Sequence, residues 1–182
     1  MRIIAGTRRG HKLLDFPGAD IRPTTDRVKE SMFNLIQDRL RDAEVLDLFG
    51  GSGALSFEAL SRGARHAVLL DIDPRSVDLI RRNADKLSFA DRVLVLQTDA
   101  RAYLPAVQAR FDIIFLDPPY NKGFVKPLLR EIAAQDILTS AGIAVLESDS
   151  SDDHGEIPGL SIRKQRKYGR TFVTIYQRGE EQ

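Results

Sequence analysis

The sequence predicts an α/β domain built on a mostly parallel sheet. Three stretches carry that expectation. Residues 111–116 read FDIIFL, with an uncharged run from Ile113 to Leu116 that ends abruptly in Asp117-Pro118-Pro119-Tyr120. Residues 45–60 read as a strand, a glycine turn and a helix. Residues 67–71 are a second apolar run ending in an acid, Asp71, about twenty residues after the glycines. Short apolar runs without polar alternation are strands buried on both faces, as parallel sheets require. Ligands of such sheets bind outside the carboxyl ends of the strands.

With 182 residues the chain suits one domain and a small appendage. Residues 2–5 and 11–14 carry apolar runs separated by Gly6 to Gly10, which reads as a hairpin with Arg8 and Arg9 at its tip. A hairpin this short is unstable alone, so it must lean on the domain or on a partner. Pro23 blocks a helix before it, and Thr24, Thr25 and Asp26 all suit the N-cap of the next one. That helix places Val28, Met32, Leu35, Ile36 and Leu40 on one stripe. Arg27 falls in its first turn, where a cation opposes the helix dipole and a nearby anion would relieve it. A solvated arginine is the competing explanation.

Residues 45–49 are a buried strand, Gly50, Gly51, Ser52 and Gly53 a tight turn, and 54–60 a helix that Gly63 can cap. Glycines admit a ligand close to the backbone. Ser56 breaks the dinucleotide fingerprint and no phosphate-binding lysine follows, so the turn suits a nucleoside lacking a pyrophosphate. Asp71 stands where an acid can hold two ribose hydroxyls. Asp73 caps a helix with Pro74 in first position and Val77, Ile80, Ala84 and Leu87 on its buried side. Residues 93–96 are a third strand, followed by Asp99 and Ala100. Asp99 can accept from an adenine amine, and it is equally the cap of a helix over 100–104. Beyond Tyr120 the pattern predicts a helix over 127–134, a strand over 142–146, a polar loop over 148–155 and a strand pair, 160–166 and 171–177, joined at Gly169.

The corner at 117–120 has its own chemistry. Two prolines cannot continue a central ladder and hold the residue before them extended. A planar base can stack on Tyr120, and its exocyclic amine can donate to the Asp117 carboxylate and the Pro118 carbonyl. Such acceptors aim the nitrogen lone pair at an electrophile, which is catalysis by positioning and electrostatics.

Composition narrows the classes. There is no cysteine, and His11, His66 and His154 lack ligand spacing, so no metal is expected. No apolar run reaches the length of a membrane span and the first residues lack a signal-peptide core, which makes a cytoplasmic address the expectation. The formal net charge is +1, but it is unevenly placed. Arg2, Arg8, Arg9 and Lys12 crowd the first 14 residues, and Arg163, Lys164, Arg166, Lys167, Arg170 and Arg178 lie in 160–178 without an acid. Two basic ends point to a polyanionic partner.

The order of glycine turn, acid and Asp-Pro-Pro-Tyr resembles a class I S-adenosylmethionine-dependent methyltransferase. RIIAG at 2–6, RPTTDRVKESMFN at 22–34, VLDLFGGSGALSFEALSRGA at 45–64 and FLDPPY at 115–120 are similar to the RsmD family, the bacterial guanine-N2 methyltransferases of 16S ribosomal RNA. The resemblance covers most of the first 120 residues. It implies a Rossmann-like seven-stranded sheet with the last strand antiparallel, a hairpin extension over 1–21 and a methyltransferase domain over 22–182. It implies that Asp47, Gly50, Gly51 and Gly53 line the methionine part of S-adenosylmethionine, Asp71 its ribose, and Asp99 with Ala100 its adenine. Asp117, Pro118, Pro119 and Tyr120 would hold the target base. Arg8, Arg9, Lys12, Arg22, Arg27, Lys167 and Arg170 are the candidate contacts to 16S rRNA or a small-subunit assembly intermediate, made by a monomer. Ser56, where the family often has glycine, is expected not to affect binding. An adenine-N6 methyltransferase and a non-catalytic RNA-binding assembly factor on the same fold are the alternatives.

Overall fold

A seven-stranded sheet separates two layers of helices. The computed structural model describes residues 1–16, 26–118, 123, 125–149 and 157–179. The strands are β1 (Glu44–Asp47), β2 (His66–Asp71), β3 (Val93–Gln97), β4 (Phe111–Leu116), β5 (Leu138–Asp149), β6 (Leu160–Tyr168) and β7 (Thr171–Arg178). Their order is β3-β2-β1-β4-β5-β7-β6. The first five pair in parallel, and β7 runs antiparallel between β5 and β6. The expected architecture is therefore present.

Side chains alternate across each strand, and this assigns residues to faces. Val45, Leu69, Ile113, Phe115, Val145 and Val173 turn to a first face, covered by α1 (Asp26–Leu35), α2 (Ala54–Ser61) and α3 (Pro74–Leu87). Leu46, Leu70, Ile114, Leu116 and Leu146 turn to a second face, covered by α4 (Ala100–Tyr103) and α5 (Val125–Ala134). Strands buried on both sides explain the uninterrupted apolar runs.

β1 ends at Asp47 rather than at residue 49, and two further elements differ more from expectation. The stripe predicted through Leu40 breaks, because α1 ends at Leu35 and a 3-10 turn over Gln37–Arg39 follows. Ile36 and Leu40 are buried all the same. β5 is longer than the expected 142–146 and takes in Ser148 and Asp149, the start of the expected polar loop. The polar pair Thr139-Ser140 hid its start, since an irregular register beside Phe111 interrupts the alternation. Asp112 holds this foot of the sheet together, accepting from the Glu44 amide at 2.9 Å and the Thr139 hydroxyl at 2.8 Å.

The amino-terminal arms pair antiparallel at Arg2 and Lys12, around a 3-10 turn over Gly6–Arg8. They are anchored rather than free. Ile3 and Leu13 lie in the first-face core. Glu58 of α2 accepts from the Ile4 and Ala5 amides at 2.8 and 3.0 Å. Gly6 has φ +82°, and a Cβ there would fall 1.8 Å from the Ser61 carbonyl oxygen, so only glycine permits this approach.

Candidate active site

The carboxyl ends of β3, β2, β1 and β4 bring the predicted cofactor residues to one edge. Asp47 ends β1 and is 1 % exposed. It accepts from the Ser56 hydroxyl at 2.9 Å and the Phe49 amide at 3.3 Å. Ser56 therefore has a role that the resemblance did not suggest: it orients Asp47 from the first turn of α2. Burial raises the Asp47 carboxyl from 3.8 to about 6, against the pull of those two bonds and with a further push from Asp71.

Asp71 ends β2 and fastens the glycine turn. One oxygen accepts from the Gly51 amide and the other from the Asp73 amide, both at 2.9 Å. Two of the roughly four lone-pair positions of a carboxylate remain for a ligand. In the turn, a Cβ on Gly50 would meet Ile80 at 2.7 Å, and one on Gly53, at φ +82°, would meet the Phe57 ring at 2.2 Å. One on Gly51, at φ +56°, would meet only the Phe49 carbonyl oxygen, at an ordinary 3.9 Å. The turn is thus packed tightly from behind and open in front.

Asp99 caps α4 through the Arg101 amide and forks with the Arg101 guanidinium, whose bonds lower its carboxyl below the usual range. Asp73 and Arg75 repeat the same device at the start of α3. The cap explanation of Asp99 is therefore realised, and Ala100 is buried beside it.

Asp117 and Pro118 follow β4 directly. β4 pairs with β1, and the Leu48 amide donates to the Phe115 carbonyl at 3.1 Å, so the corner stands beside the glycine turn. Asp47, Asp117 and Glu147 continue the first-face alternation at the ends of three neighbouring strands. Burial, then Glu147, then Asp47 raise the Asp117 carboxyl well above its usual range. Glu147 is 3 % exposed and went unnoticed in the sequence. The signal was available, because the apolar run of β5 ends in an acid as that of β4 does. Pro119 and Tyr120 lie outside the described residues, as does Arg22.

The remaining basic residues divide. Arg8 donates to the Leu87 carbonyl at 2.7 Å and sits over the Phe89 ring, so its charge is turned into the molecule. Arg9 and Arg27 are exposed and line one cleft between the amino-terminal turn and α1. Lys12 is exposed. Lys167 lies over the Phe172 ring, and Arg170 is 3.8 Å from Asp149. Asn83 was also missed. Fully buried on α3, it holds both backbone groups of Leu14 and donates to the Ser52 carbonyl in the glycine turn at 3.0 Å.

The titration of Asp47 is testable. Its folded value lies above the unfolded one, so the folded protein holds the proton over the interval from 3.8 to about 6. Stability from this group is complete below that interval and is lost as pH rises through it, by about 3 kcal/mol. Denaturant titrations of the ligand-free protein at pH 4 and pH 6 are expected to show a smaller decline for Asp47→Asn than for the parent.

The donor set fits a nucleoside bearing positive charge: an open glycine backbone, an acid with spare lone pairs, and three clustered carboxyls. The glycine turn lacks a pyrophosphate-binding signature, and β7 enters antiparallel. Those two departures set the sheet apart from a dinucleotide-binding one, and its strand order and full-length likeness to solved methyltransferase structures make it a class I methyltransferase fold. More narrowly, a family model described as Conserved hypothetical protein 95 matches residues 1–177, and the chain belongs to that family, the RsmD family. YlbH of Bacillus subtilis is 38% identical over 182 residues, covering 98% of this chain and 99% of that protein. Ribosomal RNA small subunit methyltransferase D of Escherichia coli is 34% identical, covering 98% and 90%. The solved structure of yhhF from Escherichia coli superposes with a TM-score of 0.87 at 31% identity, covering 100% of this chain and 99% of that one.

Proposed function

We propose that this protein methylates the exocyclic N2 amine of a guanine in small-subunit ribosomal RNA, with S-adenosylmethionine as donor. Asp117 carries the reading: a carboxyl at the end of a central strand, beside a glycine turn, on the face shared with Asp47 and Glu147. The Escherichia coli relative, named for small-subunit ribosomal RNA, supports the substrate class. Asp47, Gly50, Gly51 and Gly53 would line the methionine part of the donor, and Asp71 would take its ribose hydroxyls. Ile72, 68% exposed immediately after Asp71, offers apolar surface to the adenine ring, with Asp99 and Ala100 at its amine edge.

The donor supplies a methyl group on a sulfonium, already electrophilic without a metal. Asp117 and the Pro118 carbonyl would accept the N–H groups of the guanine amine and turn its lone pair toward the methyl. As the N–C bond forms the S–C bond breaks, S-adenosylhomocysteine leaves, and the excess proton on the nitrogen is lost to solvent. The ionised Asp117 stabilises the positive charge that develops on the nitrogen. Tyr120 would stack on the base, at a worth of about 1–3 kcal/mol that helps offset the cost of unstacking it.

The deciding experiment incubates the protein and labelled donor with small-subunit RNA, intact subunits and DNA. Each substrate is then hydrolysed and its nucleosides identified. Label in N2-methylguanosine is the expected result. Label in N6-methyladenosine would replace this reading with the adenine one, and no label in any substrate would favour a binding factor.

A further inference from the structure

Asp117 follows β4 on the alternation that puts Ile113 and Phe115 on the first face, and the strand register shows which basic groups share that face. On the terminal hairpin, Lys164 stands opposite Ile175, Arg166 opposite Val173 and Tyr168 opposite Thr171. Val173 and Ile175 belong to the first-face core, and Tyr168 packs against it. Lys164 and Arg166 therefore project on the Asp117 side. Lys167 is opposite Phe172, whose register partner is Ser148, on the second face. Lys167 and Arg170 are the contacts expected from this hairpin on the sequence. The alternation of β6 turns Lys167 the other way.

The Arg166 position lies three strand spacings from Asp117, across β5, β7 and β6, or about 14 Å. On the opposite flank, α1 descends from the carboxyl edge, since Arg39 just beyond it donates to the Ala141 carbonyl near the start of β5. Its first turn carries Arg27, which lines one cleft with Arg9, and Arg9 follows Arg8, held by Ser61 and Leu87 at the ends of α2 and α3 on the same face. Among the described residues, Arg9, Arg27, Lys164 and Arg166 have no acidic partner, whereas Arg2 pairs with Asp26 and Arg62 with Glu58. The cleft also holds Glu30 and Asp26, the latter taken up by Arg2, and cations without an acidic partner among the described residues on both sides of a site fit a polyanion spanning it.

Resting on the reading above, we propose that the RNA substrate crosses the α1 face of the sheet, with phosphates held by Arg9 and Arg27 on one flank and by Lys164 and Arg166 on the other. The second face, with Lys167 and with Lys126 and Arg130 of α5, is the back of the complex.

Binding of intact small subunits and of deproteinised small-subunit RNA, both from cells lacking the enzyme, is measured across a salt series. The Arg9→Ala/Arg27→Ala and Lys164→Ala/Arg166→Ala proteins are each expected to lose about ten-fold in affinity near 0.1 M salt. Each should also flatten the dependence of log K on log salt by about 1.4–1.8. Lys167→Ala/Arg130→Ala should lose less than about two-fold. Unchanged thermal unfolding and S-adenosylhomocysteine binding would show that all three proteins are folded. Losses confined to the Lys167→Ala/Arg130→Ala protein, or equal in all three, would overturn the proposal. Methyl incorporation by the parent protein tests the functional reading separately, so that reading can stand while the docking face falls.

Discussion

Asp117→Asn is expected to lower kcat by about 10²–10³ and to leave the affinity for S-adenosylhomocysteine nearly unchanged. Asparagine keeps the shape and one acceptor oxygen, so the base can still bind. It lacks the charge that stabilises the nitrogen as its bond to the methyl forms. Single-turnover methylation, read beside calorimetry with S-adenosylhomocysteine, separates the two effects, and turnover retained by the variant would remove Asp117 from the mechanism. The pH profile adds a second signature. Burial, Glu147 and Asp47 hold the Asp117 carboxyl well above its usual range. In the proposed reaction the ionised form is the active one, so the parent rate is expected to rise with pH as that group ionises, and the rise should vanish in Asp117→Asn. Glu147→Gln removes a charge that opposes ionisation, and the acid limb should move to lower pH. An unmoved limb would mean that another group sets it.

Lys29→Met is expected to destabilise the protein by about 3–5 kcal/mol. Lys29 and Glu58 are both 0% exposed and 3.5 Å apart. Lys29 donates to the Arg2 carbonyl, and Glu58 accepts from the Ile4 and Ala5 amides and from Arg62. Desolvation pulls the Lys29 ammonium below its usual value despite Glu58 and Asp26 nearby. Methionine fills the space, yet it strips Glu58 of one of its two cations and leaves the Arg2 carbonyl without this donor. Glu58→Leu should cost more, since two backbone amides lose their acceptor as well. For a domain of this size the Lys29→Met change corresponds to a fall of about 6–20 °C in Tm. Loss of protease protection confined to the first 16 residues, with Tm unchanged, would show that the network clips the arms without supporting the core.

This network was the least legible part of the chain. Lys29 sits in a sequence of mixed charge, and nothing local marks it as buried. Its surroundings come from residues 2–5 and 58–62, which only folding brings to it. Arg8 shows the same limit. A basic hairpin tip reads as a free contact, but Leu87 and Phe89 claim the guanidinium from a helix end far along the chain. Ser56 looked like a neutral replacement for glycine until α2 folded back and placed its hydroxyl on Asp47. By contrast, the Asp73 cap with Pro74 could be read directly, because the atoms concerned are neighbours in sequence.

By itself the sequence determined the alternation of strands and helices, the glycine turn, and the acids at the ends of β2 and β4. These follow from local terms: apolar periodicity, φ requirements and capping. Tertiary structure alone decided that Glu147 joins Asp117 and Asp47 on one face, that Arg8 turns inward, and that Lys164 and Arg166 look one way and Lys167 the other. Each of those depends on strand register or on burial by distant residues, and a shift of one position in register would have reversed every side chain on the strand.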